Sequence, residues 1–139
     1  EIAYQKMKEN VTPKFTQYLS KSVQKITDGN YHKVKINDEE GIMVERENGE
    51  YIPANRLSVG TIDQLYVSLR FSMIRELSKE NLPIFLDEVF AYFDENRLKN
   101  ILYYLQENFK DTQIFIFTCT NRETNLLEKM QIPYHKVEM

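Results

Sequence analysis

Two stretches of this 139-residue chain carry side chains that could do chemistry. In Leu82-Pro83-Ile84-Phe85-Leu86-Asp87-Glu88, an apolar run ends on two adjacent carboxylates. Adjacent acids at the end of a buried strand repel each other and lose hydration, so they call for a cation or a proton. Magnesium answers that need with oxygen ligands and, commonly, the phosphates of a substrate. A second acid beside the ion can then orient or deprotonate an attacking water. The second stretch is Leu57-Ser58-Val59-Gly60-Thr61-Ile62-Asp63-Gln64, a small polar turn that opens a long helical pattern. Backbone N–H groups at a helix start are unpaired and partly positive, which suits an anion. Ser58 adds a hydroxyl and Gly60 permits close approach. The plainer readings are an acidic strand end for the first stretch and a simple helix cap for the second. No GxxxxGK[ST] loop occurs anywhere in the chain, so the turn would face a phosphate that this segment does not itself cradle.

The surrounding pattern predicts the elements that must hold these groups. Tyr4, Met7, Val11, Phe15, Tyr18 and Ile26 recur near helical spacing, with Thr12-Pro13 as a start and Asp28-Gly29-Asn30 as a stop. Val34 and Ile36, a polar turn from Asn37 to Gly41, then Ile42 and Val44 predict a β-hairpin. A second turn over Glu47-Asn48-Gly49-Glu50 leads to a short Tyr51-Ile52 strand. Beyond Gly60 the pattern reads helix (Thr61 to Lys79), buried strand (82–86), helix capped by Asp94, buried strand (113–118), helix capped by Asn121, and a last strand from Tyr134 to Val137. Continuous apolar strands alternating with helices predict an α/β fold with a parallel sheet covered on both faces. Ligands of such sheets gather at the carboxyl ends of the strands, here Asp87-Glu88 and Thr118-Cys119-Thr120.

Composition narrows the class. Nine Tyr and eight Phe beside four Gly and four Pro argue for a folded chain, and 139 residues suit one domain. A net charge of −3 gives no general drive toward nucleic acid or anionic membrane. The single cysteine, Cys119, excludes an internal disulfide and suits a reducing cytosol, so a cytoplasmic location is expected. No stretch is apolar and long enough to span a bilayer as a helix. The chain starts at Glu1 in what reads as mid-helix, and a piece of something longer is expected. Lys14, Lys21 and Lys25 share a helical face that reads first as a solvated surface and second as a DNA contact.

The order of these motifs resembles the C-terminal half of an ABC-type ATPase head of the SMC, SbcC and RecN class. The resemblance is nearest to bacterial YhaN-like proteins, regarded as DNA-repair ATPases. It rests on the LSxGTxxQ signature from Leu57 to Gln64, the strand ending in Asp87-Glu88, Ala91-Tyr92-Phe93-Asp94, and the strand ending in Thr118-Cys119-Thr120. The segment Ile26-Thr27-Asp28-Gly29-Asn30-Tyr31 adds to it. The resemblance covers about residues 12 to 139 and implies a P-loop ABC-type fold with an N-terminal helix and hairpin. Residues 1–28 would be the root of a coiled coil, and 29–139 the C-terminal lobe of the head. Leu57, Ser58, Val59, Gly60, Thr61 and Gln64 would meet the ATP of a second head. Asp87 would hold Mg2+, Glu88 would polarise the hydrolytic water, and Phe93-Asp94 would form a D-loop crossing the dimer interface. Thr120 stands where many relatives carry a switch histidine, and Val59 stands where LSGGQ has its first glycine. Implied partners are a second head in a homodimer, an N-terminal half bearing the Walker A loop, DNA, and an SbcD-like nuclease. The segment alone would be inactive for want of that loop. Two other readings remain: a nucleotide-gated dimerisation module with little hydrolysis, and an unrelated metal-dependent enzyme built on Asp87 and Glu88.

Overall fold

A computed structural model describes residues 13–37, 39–78 and 80–138. The chain divides into two compact units, Glu1–Ser78 and Lys79–Met139. The apolar positions Tyr4, Met7 and Val11, and with them the start of the expected coiled-coil root, lie outside the described residues.

In the first unit, helix α1 (Pro13–Ile26) opens at proline, whose fixed φ suits a first helical position. It buries Phe15, Leu19, Ser22, Val23 and Ile26, one stripe at helical spacing. Strands β1 (Tyr31–Asn37), β2 (Gly41–Arg46) and β3 (Tyr51–Pro53) form an antiparallel sheet in the order β1-β2-β3. The register aligns Val34 with Val44 and Val44 with Ile52. That row is buried across all three strands and packs with Phe15, Leu19 and Val23 of α1. Leu65 and Leu69 of helix α2 (Val59–Leu77) complete the cluster. Each such side chain removed from water contributes about 1.5–3 kcal/mol. The second turn closes through Gly49, at φ 82°, whose N–H reaches the Arg46 carbonyl at 2.9 Å.

Helices α1 and α2 meet at small polar residues. Ser68 and Ser72 are fully buried, and each hydroxyl donates to the carbonyl four residues earlier at 2.7 Å. The Ser72 and Ser22 hydroxyl oxygens also lie 3.2 Å apart across the two helices. Small side chains let two helices approach closely, and these internal bonds satisfy the hydroxyls.

In the second unit, β4 (Ile84–Asp87) and β5 (Ile114–Phe117) pair in parallel, joined by α3 (Glu95–Asn108), and α4 (Arg122–Lys129) follows. Parallel neighbours need such a crossover. Helix α3 buries Leu98, Ile101, Leu102 and Leu105, again one stripe. Asp94 caps it as expected, its carboxylate accepting from Arg97 N–H at 2.8 Å.

The α/β class with its N-terminal helix and hairpin stands, and three expectations are corrected. Tyr134 to Val137 forms no strand. Helix α2 begins at Val59 rather than Thr61, because Ser58 already occupies the capping position. The parallel strands are not covered on both faces among the described residues. Ile84 and Leu86 are buried, whereas Phe85 is 62% exposed and its ring stacks on Phe115 at 4.8 Å. Phe117 lies on the same open face. Residue type alone cannot distinguish a doubly covered strand from one whose aromatic side is open. None of the described helices is long and apolar enough to cross a membrane.

Candidate functional site

The signature stretch is the first turn of α2 and its approach. Ser58 is its N-cap, with φ −64° and ψ 152°. Its hydroxyl meets the Thr61 hydroxyl at 2.8 Å and accepts from Thr61 N–H at 3.4 Å. Ser58 therefore caps the helix. Its backbone carbonyl takes the N–H groups of Thr61 and Ile62, both at 2.9 Å. The N–H groups of Val59 and Gly60 take no hydrogen bond among the described residues. Ser58 and Val59 are exposed and Gly60 is half-buried, so these two amides lie at the open side of the turn. Leu57 packs against the core cluster. Thr61 and Gln64 turn inward, and the Gln64 amide donates to the Ile26 carbonyl at 2.8 Å, tying α2 to the end of α1.

The second unit gathers its polar groups where β4 and β5 end. Asp87 closes β4 with its side chain exposed. Glu88 N–H continues the pairing to the Phe117 carbonyl at 2.9 Å, and the backbone then turns to φ 49° at Glu88. A non-glycine residue in that left-handed region stores on the order of 1–3 kcal/mol of strain and persists where its surroundings over-determine it. The Glu88 carboxylate crosses to the β5–α4 turn and accepts from Cys119 N–H at 2.6 Å. Beside it the exposed Cys119 thiol is raised above its ordinary pKa, first by hydrogen bonding to Glu88 and then by that charge.

Around position 120 the turn is closed internally. Thr118 and Thr120 both donate their hydroxyl protons to Glu123 Oε2, at 3.0 and 2.9 Å. Glu123 is 4% exposed, and these hydroxyls with Arg122 Nη2 at 3.7 Å supply its partners. Thr120 N–H returns to the Thr118 hydroxyl at 3.2 Å. The Arg122 guanidinium reaches back to the loop after β4 and donates to the Phe93 and Phe90 carbonyls, both at 2.7 Å. Phe90 and Phe93 are buried with their rings 5.6 Å apart, whereas Tyr92 between them is 78% exposed. Asp94 is exposed and pairs with Arg97 at 3.4 Å.

Thus Glu88, Cys119, Thr120 and the Phe90–Phe93 loop are joined by hydrogen bonds. The sequence reading missed Arg122 and Glu123. A signal was present: Thr120-Asn121-Arg122-Glu123 has the T-x-x-E spacing of a capping box. The pair meets side chain to side chain rather than as a capping box, the Thr120 hydroxyl donating to the Glu123 carboxylate, while Asn121, in the capping position, makes no side-chain cap.

The donor set fits magnesium and nucleotide in a limited way. Among the described residues no three His, Cys, Asp or Glu form a cluster able to hold a metal. One exposed carboxylate at a strand end suits an ion that takes the rest of its shell from water and phosphate oxygens.

No family model matches the chain. It is 32% identical over 123 residues to YhaN, an uncharacterized protein of Bacillus subtilis strain 168. That match takes in 86% of this chain and 13% of YhaN, so the chain spans a small part of that relative's length. Among solved structures, one from work on ATP-driven dimerization and DNA-stimulated activation of SMC ATPases has a TM-score of 0.67 at 13% identity. It covers 89% of this chain and 76% of that one. The SMC head domain from Thermotoga maritima has a TM-score of 0.64 at 17% identity, covering 89% and 44%. An Smc head bound to the C-winged helix domain of ScpA has a TM-score of 0.62 at 16% identity, covering 81% and 36%. These structural likenesses show that the chain has the fold of an SMC head domain, and in sequence it is similar to a part of YhaN.

Proposed function

We propose that this chain is the C-terminal part of a head that binds and hydrolyses ATP, dimerises around it, and couples the cycle to DNA repair or DNA-end processing. The observation that carries the reading is the α2 N-terminus. Ser58 and two amides without internal partners face outward from a segment that has no phosphate loop of its own. Such a surface would serve the nucleotide of a second head. Asp87 would hold Mg2+, largely through water, and the ion would neutralise phosphate charge. Glu88 would accept the proton of the attacking water once its carboxylate leaves Cys119 N–H. Phe93 would anchor the loop that brings Asp94 to the partner head. The Walker A loop would come from an N-terminal half of the intact protein, and DNA and an SbcD-like nuclease would be its working partners.

Mixing two variants of the intact protein tests the shared site. Glu88→Gln alone disables the proton acceptor, and Ser58→Arg alone blocks the turn. In a heterodimer of the two, one composite site pairs an intact Glu88 with an intact Ser58. Mixing is expected to restore ATPase, up to about half per heterodimer if the sites act independently. No restoration would sink the shared-site arrangement and leave the fold standing.

A second reading is a nucleotide-gated dimerisation module with little hydrolysis. It is favoured by Glu88 being held on Cys119 N–H and by Thr120 giving its proton to Glu123. Turnover at saturating ATP, compared with nucleotide-dependent dimerisation, separates the two readings.

A further inference from the structure

We infer that Arg122 is a positioning residue, holding the loop from Glu88 to Asp94 in its working shape by clamping the Phe90 and Phe93 carbonyls. The functional part of this inference rests on the ATPase reading above. Arg122 follows the β5–α4 turn, yet its side chain serves a segment some thirty residues earlier, through two bonds of 2.7 Å. Both are charge-assisted, and a planar fork meeting two carbonyls fixes direction as well as distance. Phe93 N–H bonds to the Phe90 carbonyl at 2.9 Å, so one guanidinium nitrogen grips a turn that is already closed and the other grips its exit. The two phenyl rings are buried beneath, whereas Tyr92 and Asp94 point outward. The loop therefore has an apolar floor and a cationic clasp.

The placement of Arg122 is itself constrained. Glu123, buried and accepting from Thr118 and Thr120, lies 3.7 Å from Arg122 Nη2. The Nε of Arg122 is buried and finds no acceptor among the described residues. A guanidinium that leaves one N–H unmet while spending both ends on the same loop is oriented for that loop rather than for general satisfaction. The β5–α4 turn thus touches the β4 loop twice: through Cys119 N–H on Glu88, and through Arg122 on Phe90 and Phe93. The side-chain links between the strand ends run through Glu88 on Cys119 N–H and through Arg122, and not through the side chain at 120.

The test uses Arg122→Ala and Arg122→Lys in the intact protein, read first by amide hydrogen exchange. Arg122→Ala is expected to speed exchange at Phe93 N–H about tenfold, with α3 amides unchanged, and to hasten chymotryptic cleavage after Tyr92. Lysine can reach one carbonyl but not both, so Arg122→Lys should fall between. Unchanged exchange at Phe93 in a folded Arg122→Ala protein overturns the inference. The kinetic arm expects kcat to fall about tenfold with the KM for ATP within about twofold, and partial recovery on adding guanidinium but not sodium at equal ionic strength. A loosened loop with unchanged kcat also overturns the positioning role. If the parent protein hydrolyses no ATP, the ATPase reading fails by itself, and exchange at Phe93 still decides whether Arg122 holds the loop. If Arg122→Ala does not fold, Arg122→Lys carries both arms.

Discussion

Glu88 is the residue at which backbone and side-chain requirements meet. Its carboxylate sits at a strand end, as the apolar run before it announced. Its left-handed backbone was not legible, because nothing in the residue type signals a positive φ there. The contact with Cys119 gives a measurable consequence at this scale. The raised thiol pKa means less thiolate at any pH below it, and thiolate is the species that is alkylated. Cys119 is therefore expected to react slowly with iodoacetamide near neutrality despite its exposure, with a rate profile displaced to higher pH. Glu88→Gln removes the charge and should move that profile downward. An unchanged profile would mean that the carboxylate does not rest on the Cys119 turn in solution. In the intact protein, the same substitution should leave ATP binding in place and slow hydrolysis on the order of a hundredfold.

Among the elements, α2 shows how one segment can satisfy both a structural and a functional reading. Ser58→Ala should cost about 1 kcal/mol through loss of the cap, measured by urea unfolding. Gln64→Leu should cost about 1–3 kcal/mol, since the Ile26 carbonyl loses the amide it accepts from. A cost below about 0.5 kcal/mol would return Gln64 to a role outside the fold. The helices and the hairpin were legible because their stripes and alternation are set by local geometry: Phe15, Leu19 and Val23 on α1, Val34 and Val44 on the strands. The boundary at Ser58 shifted by two residues because a cap and a loop serine look alike in sequence. The expected strand at Tyr134 to Val137 failed for a different reason. Strand pairing depends on a neighbour far along the chain, and four residues of suitable type do not specify one.

For the molecule as a whole, the parallel pair is the informative part. Its buried side was legible from Ile84 and Leu86, but the exposure of Phe85, Phe115 and Phe117 was not, because covering depends on what else surrounds a sheet. An open row of stacked rings should bind a hydrophobic dye such as ANS in the isolated 139-residue chain, and Phe85→Lys should reduce the signal severalfold. Equal fluorescence in both proteins would mean that the face is closed in solution. The isolated chain is also expected to release no phosphate from ATP, since no loop in it cradles β- and γ-phosphates. Steady release abolished by Asp87→Ala would instead favour an independent metal-dependent enzyme.

The strained backbone at Glu88 sets two selections against each other. Glycine adopts φ 49° without penalty, and asparagine does so more readily than glutamate. A library randomised at this one position and sorted for folded yield alone should enrich glycine and asparagine. The same library sorted for nucleotide turnover should return glutamate.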